Sequence, residues 1–245
     1  MKHYSLEDLS SLISQACVSS DSWLIPENSL FTEVLWNQMY STTPQETLRC
    51  DQLFTKLTAY YKMDADQISS TIHSIAFDAY SRKDVIFAEF CFRLARRYKN
   101  DISYSNNLAY TLRRHHEMDM DTQAEIISLL LPGIIENEEF SIVNMALFFA
   151  INLGTSNDWI TADKLIQQLE QEPSGVERWW SDLATQSDAE GYLVILWLLR
   201  HKKIFYLDSI GTHDEIIAKV KAAYFNAPSW LFNMDMVPEP PTNND

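Results

Sequence analysis

Glycine is nearly missing from this chain, with 5 residues in 245. Tight turns and phosphate-cradling loops need the positive φ that glycine adopts at no steric cost, so sheet sandwiches and nucleotide-binding α/β folds are disfavoured. Cysteine is scarce too. Cys17, Cys50 and Cys91 are an odd number at wide spacings, which excludes a disulfide framework and a zinc-ligand pattern. They read as free thiols, with Cys17 and Cys91 among apolar neighbours and Cys50, between Arg49 and Asp51, nearer the surface.

Long apolar runs are absent. The longest, Tyr192–Leu199 and Ala146–Ile151, fall far short of the roughly 20 residues that span a bilayer. Basic charge is also in deficit: 19 Lys and Arg stand against 34 Asp and Glu, a formal net charge of −15. That surplus repels phosphate backbones and anionic membranes, so neither nucleic acid nor membrane is expected as a partner, whereas a basic protein is. Met1–Val18 is amphipathic and carries Glu7 and Asp8 instead of the basic start and apolar core of a signal peptide, so a cytoplasmic location is expected. Gly-rich phosphate loops, GxSxG, HExxH and calcium loops are all missing. No catalytic residue, metal or cofactor is assigned, and the chain reads as a non-enzyme.

What remains is helix-forming. Apolar residues make up 46% and aromatic ones 12%, enough large side chains to pack helix on helix. Thr43-Pro44-Gln45-Glu46 is a strong helix start, with a capping threonine, a proline at the first helical position and a glutamate that returns to the cap amide. The stripe behind it is Leu48, Phe54, Leu57, Tyr60 and Tyr61. Ser5 with Asp8 opens an earlier helix carrying Leu6, Leu9, Leu12, Ile13 and Ala16, and Asp64, Asp84, Thr161 and Thr212 are read as later caps. About a dozen helices of roughly 10 to 16 residues account for the chain, and the fold class is all-α. The best strand candidate, Ile204–Leu207, is read as a linker, and residues 235–245 as a disordered tail.

A period runs through the middle. The pairs Ile75-Ala76, Leu108-Ala109, Met145-Ala146 and Leu183-Ala184 recur at separations of 33, 37 and 38 positions, interleaved with Ala88, Ala124 and Ala162. Alanine lets two helices approach closely. In Ser69–Asp101, Ile75 and Ala76 precede Ala88 by thirteen and twelve residues, and Ala88, Phe92 and Ala95 share a face. This segment resembles the tetratricopeptide repeat, and Tyr104–Leu112 resembles the first helix of a further copy. Asn100 stands where that family has proline, and the link Arg114–Asp121 is longer than the family's.

The resemblance implies a right-handed α-α superhelix of stacked hairpins over residues 66–174. An N-terminal helical segment, residues 1–65, precedes it, and a C-terminal capping region, residues 175–234, follows. It also implies a concave groove that holds another protein or peptide. Asn107 and Asn144 precede the Leu-Ala and Met-Ala pairs where that family grips a carboxylate, with Arg113, Arg114 and His73 as neighbouring polar groups. Trp179-Trp180 and Pro228–Phe232 carry ring area that seals an end of the stack or anchors a partner.

The basic clusters Arg93–Lys99, Arg113–His116 and Arg200–Lys203 fall at predicted helix C-termini, where cations complement the helix dipole. If they share a face they form an anion-binding stripe. His115-His116 lacks the spacing of a metal pair and is read as part of a polar link. Two functions are therefore expected: a helical-repeat protein that binds a partner in its groove, or an acidic immunity-type inhibitor that neutralises a basic toxin or nuclease.

Overall fold

The computed structural model describes residues 4–17, 27–169, 174–204 and 210–233. The chain is all-α: 79% of the described residues are helical, in twelve α-helices and two short turns, with no strand among them. Two of the sequence readings, the 204–207 linker beyond Ile204 and the 235–245 tail, lie outside the described residues. The chain divides into two compact units, Met1–His115 and His116–Asp245, and the break falls inside the stretch read as repeats.

Unit 1 contains α1 (Leu6–Ala16), α2 (Glu27–Met39), α3 (Pro44–Tyr60), α4 (Ala65–Ser81), α5 (Val85–Tyr98) and α6 (Ile102–His115). The helix starts follow from side-chain capping. Thr43 accepts from the Glu46 amide while the Glu46 carboxylate accepts from the Thr43 amide, and Asp64 with Gln67 repeats the exchange on α4. The most extensive pairing is α4 on α5, where Ala76, Ala79, Ala88 and Ala95 are all buried and Ser69 Oγ donates to the Ala95 carbonyl at 2.8 Å. On α3 the interior face is Cys50, Leu53, Phe54 and Leu57, whereas Leu48 and Tyr60 are exposed. Cys50 is thus fully buried, contrary to expectation. Arg49 and Asp51 project about 100° to either side of it, so charged neighbours in sequence do not bring a helical residue to the surface. Burial pushes its thiol pKa up.

Unit 2 contains α7 (Met120–Ile135), α8 (Glu139–Leu147), α9 (Ser156–Gln167), α10 (Ser174–Thr185), α11 (Ala189–Arg200) and α12 (His213–Ala223). A π-helical turn, Phe148–Leu153, extends α8 and ends at Gly154, and a 3₁₀ turn covers Ser229–Phe232. Helices adjacent in sequence pack as neighbours: α7 on α8, α8 on α9, α10 on α11 and α11 on α12. Two sequence readings need correction. Thr161 lies inside α9 and donates its hydroxyl to the Asn157 carbonyl, while the cap is Thr155, in reciprocal exchange with Asp158. Ala124 is exposed, because α7 turns Ile126, Leu129, Leu130 and Gly133 inward. Helices α10 and α11 approach closely where a glycine meets Ala184, a residue of the alanine period. A Cβ on Gly191 of α11 would lie 2.4 Å from the Ala184 amide nitrogen and 2.8 Å from the Trp180 carbonyl oxygen of α10.

Three links share one geometry. Lys83, Asn137 and Ser187 sit in the left-handed region at φ 65°, 58° and 64°, each two residues past the last residue of α4, α7 or α10. In each, the next residue, Asp84, Glu138 or Asp188, sends its amide back five residues to Ala79, Gly133 or Leu183. The same residue then caps the following helix with its carboxylate. The hairpins α4/α5, α7/α8 and α10/α11 are therefore closed by an identical device, built without glycine at the left-handed position.

Candidate functional site

The singled-out polar residues of unit 1 lie in two clusters on α4 and α6. His73 projects from α4 and Asn107 from α6. The Asn107 amide donates into His73 Nε2 at 2.8 Å, which places the ring proton on Nδ1. The imidazole stacks on Tyr104 at 4.3 Å between centroids, with Phe92 5.5 Å away. Burial among these rings pushes the His73 pKa below its ordinary value, and the Asp101 carboxylate opposes that shift. A neutral imidazole bonded to an amide is a hydrogen-bonding platform without charge.

One turn further along α6, Arg113 and Arg114 lie over the Tyr110 ring at 5.5 and 5.4 Å, and Arg114 also donates to the Tyr110 hydroxyl. Arg113 is buried and Arg114 exposed. His115, the last residue of α6, meets the Tyr80 hydroxyl at 3.1 Å.

The other singled-out residues belong to unit 2. Asn144 is only 2% exposed, because α8 is buried around its whole circumference from Ser141 to Leu147. Trp180 is wholly buried, and Trp179, the adjacent ring, reaches the surface of α10. Burial of Asn144 and Trp180 leaves neither side chain any surface to offer a guest. Trp230 acts within the unit: its ring lies 5.2 Å from the Arg200 guanidinium, and its carbonyl accepts from Arg200 Nη1 at 2.9 Å.

Two further surfaces stand out, the first unrecognised in the sequence and the second part of a basic cluster singled out there. On α7, Met120, Ala124, Ile127, Leu131 and Ile135 are all exposed, Met120 at 85% and Ile135 at 76%. At 100° per residue these five fall within about 80° of arc, on the side of the helix away from Ile126, Leu129 and Gly133. Asp121 and Glu125 flank the stripe, and the helix carries no Lys or Arg. The signal was present: α7 has two apolar faces, one more than a core-facing helix needs. The second surface is a pocket of about 280 Å³ on α5 lined by Arg93, Arg96 and Arg97.

Comparison with protein-family models, with curated proteins and with solved structures gives no match for this chain. Geometry alone therefore supports a functional reading. Among the described residues no three His, Cys, Asp or Glu side chains gather as a metal site, and no helix is long and apolar enough to cross a membrane.

Proposed function

We propose that this chain is a non-catalytic α-hairpin protein that binds another protein, and that the exposed stripe of α7 is its principal contact surface. The observation that carries this reading is the row Met120, Ala124, Ile127, Leu131 and Ile135, uncovered on a helix whose exposed charges are all acidic. A contiguous apolar row on a charged surface is a common mark of association. The complementary partner is a helix with an apolar face bordered by Lys or Arg, laid along α7. Burying Met120 and Ile135, the most exposed of the row, would contribute roughly 1.5–3 kcal/mol each, and the half-exposed Ile127 and Leu131 about half as much, before association entropy is charged against them.

The finer architecture proposed is a right-handed superhelix of hairpins resembling tetratricopeptide repeats. Helix pairing in sequence order and the burial of Ala76, Ala88, Ala109, Ala146 and Ala162 support it. In that reading His73 and Asn107, both half-buried, offer the groove its polar contacts.

A second reading, an inhibitor of a basic toxin or nuclease, is favoured by the net charge of −15. Attraction of that kind raises the association rate and weakens steeply with salt.

The test places a photo-crosslinking residue at Ile135 and identifies the protein it captures. The exposed double variant Leu131→Ser/Ile135→Ser should keep the helical circular-dichroism signal and lose that capture. Capture undiminished by the double variant would remove α7 from the interface. Binding of the captured protein that does not change between low and high salt would eliminate the toxin-inhibitor reading.

A further inference from the structure

We propose that Arg93, Arg96 and Arg97 form a binding site for the phosphate group of a small phosphomonoester. The three guanidinium-bearing residues stand at i, i+3 and i+4 on α5, which puts them on one face across adjacent turns. Together they line a pocket of about 280 Å³.

Two of the three side chains are held in place by neighbours. Arg93 Nε donates to Glu89 Oε1 at 2.8 Å, one turn earlier on the same helix. Arg96 Nε donates to Ser105 Oγ at 2.9 Å, and its Nη2 donates to Asn100 Oδ1 at 3.3 Å. Ser105 is itself anchored, its hydroxyl donating to the Asp101 carbonyl at 3.0 Å. The fork of Arg96 is therefore pre-oriented by groups on α6 and on the α5–α6 link. Arg97 is exposed and makes no ion pair with a described residue, so its guanidinium is available. Lys99 does not join the pocket lining, being turned to Asp66 at 3.5 Å and Asp101 at 3.9 Å.

The chemistry selects the ligand. Planar guanidiniums donate in parallel pairs, and a phosphate monoester offers a charge near −2 on three oxygens that several forks can share. A carboxylate has one charge and two oxygens and satisfies fewer donors. The pocket is larger than a bare ion requires and approaches the low end of small-molecule sites, about 300 Å³, which favours a phosphate carried on a short organic group. A nucleic acid is a poor fit. A long polyanion feels the whole surface charge of −15, whereas one phosphate seated in the pocket interacts mainly with charges within a screening length of roughly 8–10 Å.

The experiment titrates glycerol 3-phosphate, inorganic phosphate and succinate into the full chain. Heat of binding is recorded together with the arginine Nε resonances by NMR. Glycerol 3-phosphate should bind saturably, at least tenfold more tightly than either other anion, and shift the Nε signals of Arg96 and Arg97. Arg97→Gln, an exposed change, should weaken that binding at least tenfold while leaving the thermal midpoint of the unliganded chain unchanged. Inorganic phosphate binding as tightly as the monoester would overturn the proposal. So would a weak response common to all three anions and retained by Arg97→Gln, which would leave the arginines only their role at a helix C-terminus.

Discussion

Removing the carboxylate of Asp163 should destabilise unit 2 heavily. Asp163 on α9 and Arg200 on α11 face each other with side chains 5% and 1% exposed, Oδ1 lying 3.4 Å from Arg200 Nε. The same oxygen accepts from His201 Nε2 at 2.9 Å. Arg200 then reaches on to the carbonyls of Trp230 and Asn233 at 2.9 and 2.7 Å, tying the C-terminal 3₁₀ turn to α11. In Asp163→Ala the guanidinium keeps those two carbonyls and the Trp230 ring but loses its counter-charge in a site with almost no water, and His201 loses its acceptor. Breaking one side of a buried pair costs about 3–5 kcal/mol, against about 0–1 kcal/mol for a surface pair. With a urea slope near 2 kcal/mol per molar, a loss of about 4 kcal/mol lowers the midpoint by about 2 M. Tryptophan fluorescence is the assay, because five of the seven tryptophans belong to unit 2. Trp159 and Trp197 sit 6.0 Å apart between the same two helices. The double variant Asp163→Leu/Arg200→Met should lie closer to the parent than Asp163→Ala does, since it leaves no lone buried charge. A midpoint shift under about 0.5 M for Asp163→Ala, or a double variant worse than the single, would refute the account.

Gly191→Ala should cost about 3 kcal/mol, read as a thermal midpoint about 10 °C lower. The added Cβ would press on the backbone of Ala184 and Trp180, whereas Gly175→Ala meets the Phe140 ring at 3.5 Å and the Glu139 carboxylate at 3.9 Å, ordinary contact distances, and should leave the midpoint in place or raise it. Equal midpoints for the two variants would refute the close approach of α10 and α11. His73 gives a pH prediction. Burial holds its folded-state pKa below the 6.5 it has when unfolded, so on acidification the unfolded chain takes up the proton first. The stability of unit 1 should therefore be full above about pH 7.5 and fall as the pH drops through 6.5, and His73→Gln should flatten that slope. Parallel stability profiles for parent and variant between about pH 7.5 and 5.5 would show that His73 does not titrate differently on folding.

The legible features were those set by neighbours in the chain. Thr43, Asp64, Asp84 and Thr212 cap helices as read, because a cap needs only a short polar side chain and an amide two or three residues on. Thr161 misled because threonine inside a helix can bond backward to a carbonyl, and Thr155 had the stronger partner in Asp158. Placing Cys50 near the surface failed for a related reason: its charged neighbours in sequence lie on other faces of α3. Within the candidate sites, the contact of His73 with Asn107 spans 34 positions and has no local signal, and burial of Asn144 depends on the helices packed around α8.

The sequence by itself determined an all-α chain, since scarce glycine, absent strand periodicity and recurrent capping residues act within a single turn of backbone. Tertiary structure alone decided where that chain divides, that Gly191 of α11 lies against the Ala184 backbone of α10, and that one of the two apolar faces of α7 stays uncovered. Local chemistry specifies which residues share a helix face, but whether a face is buried depends on another helix arriving from many residues away.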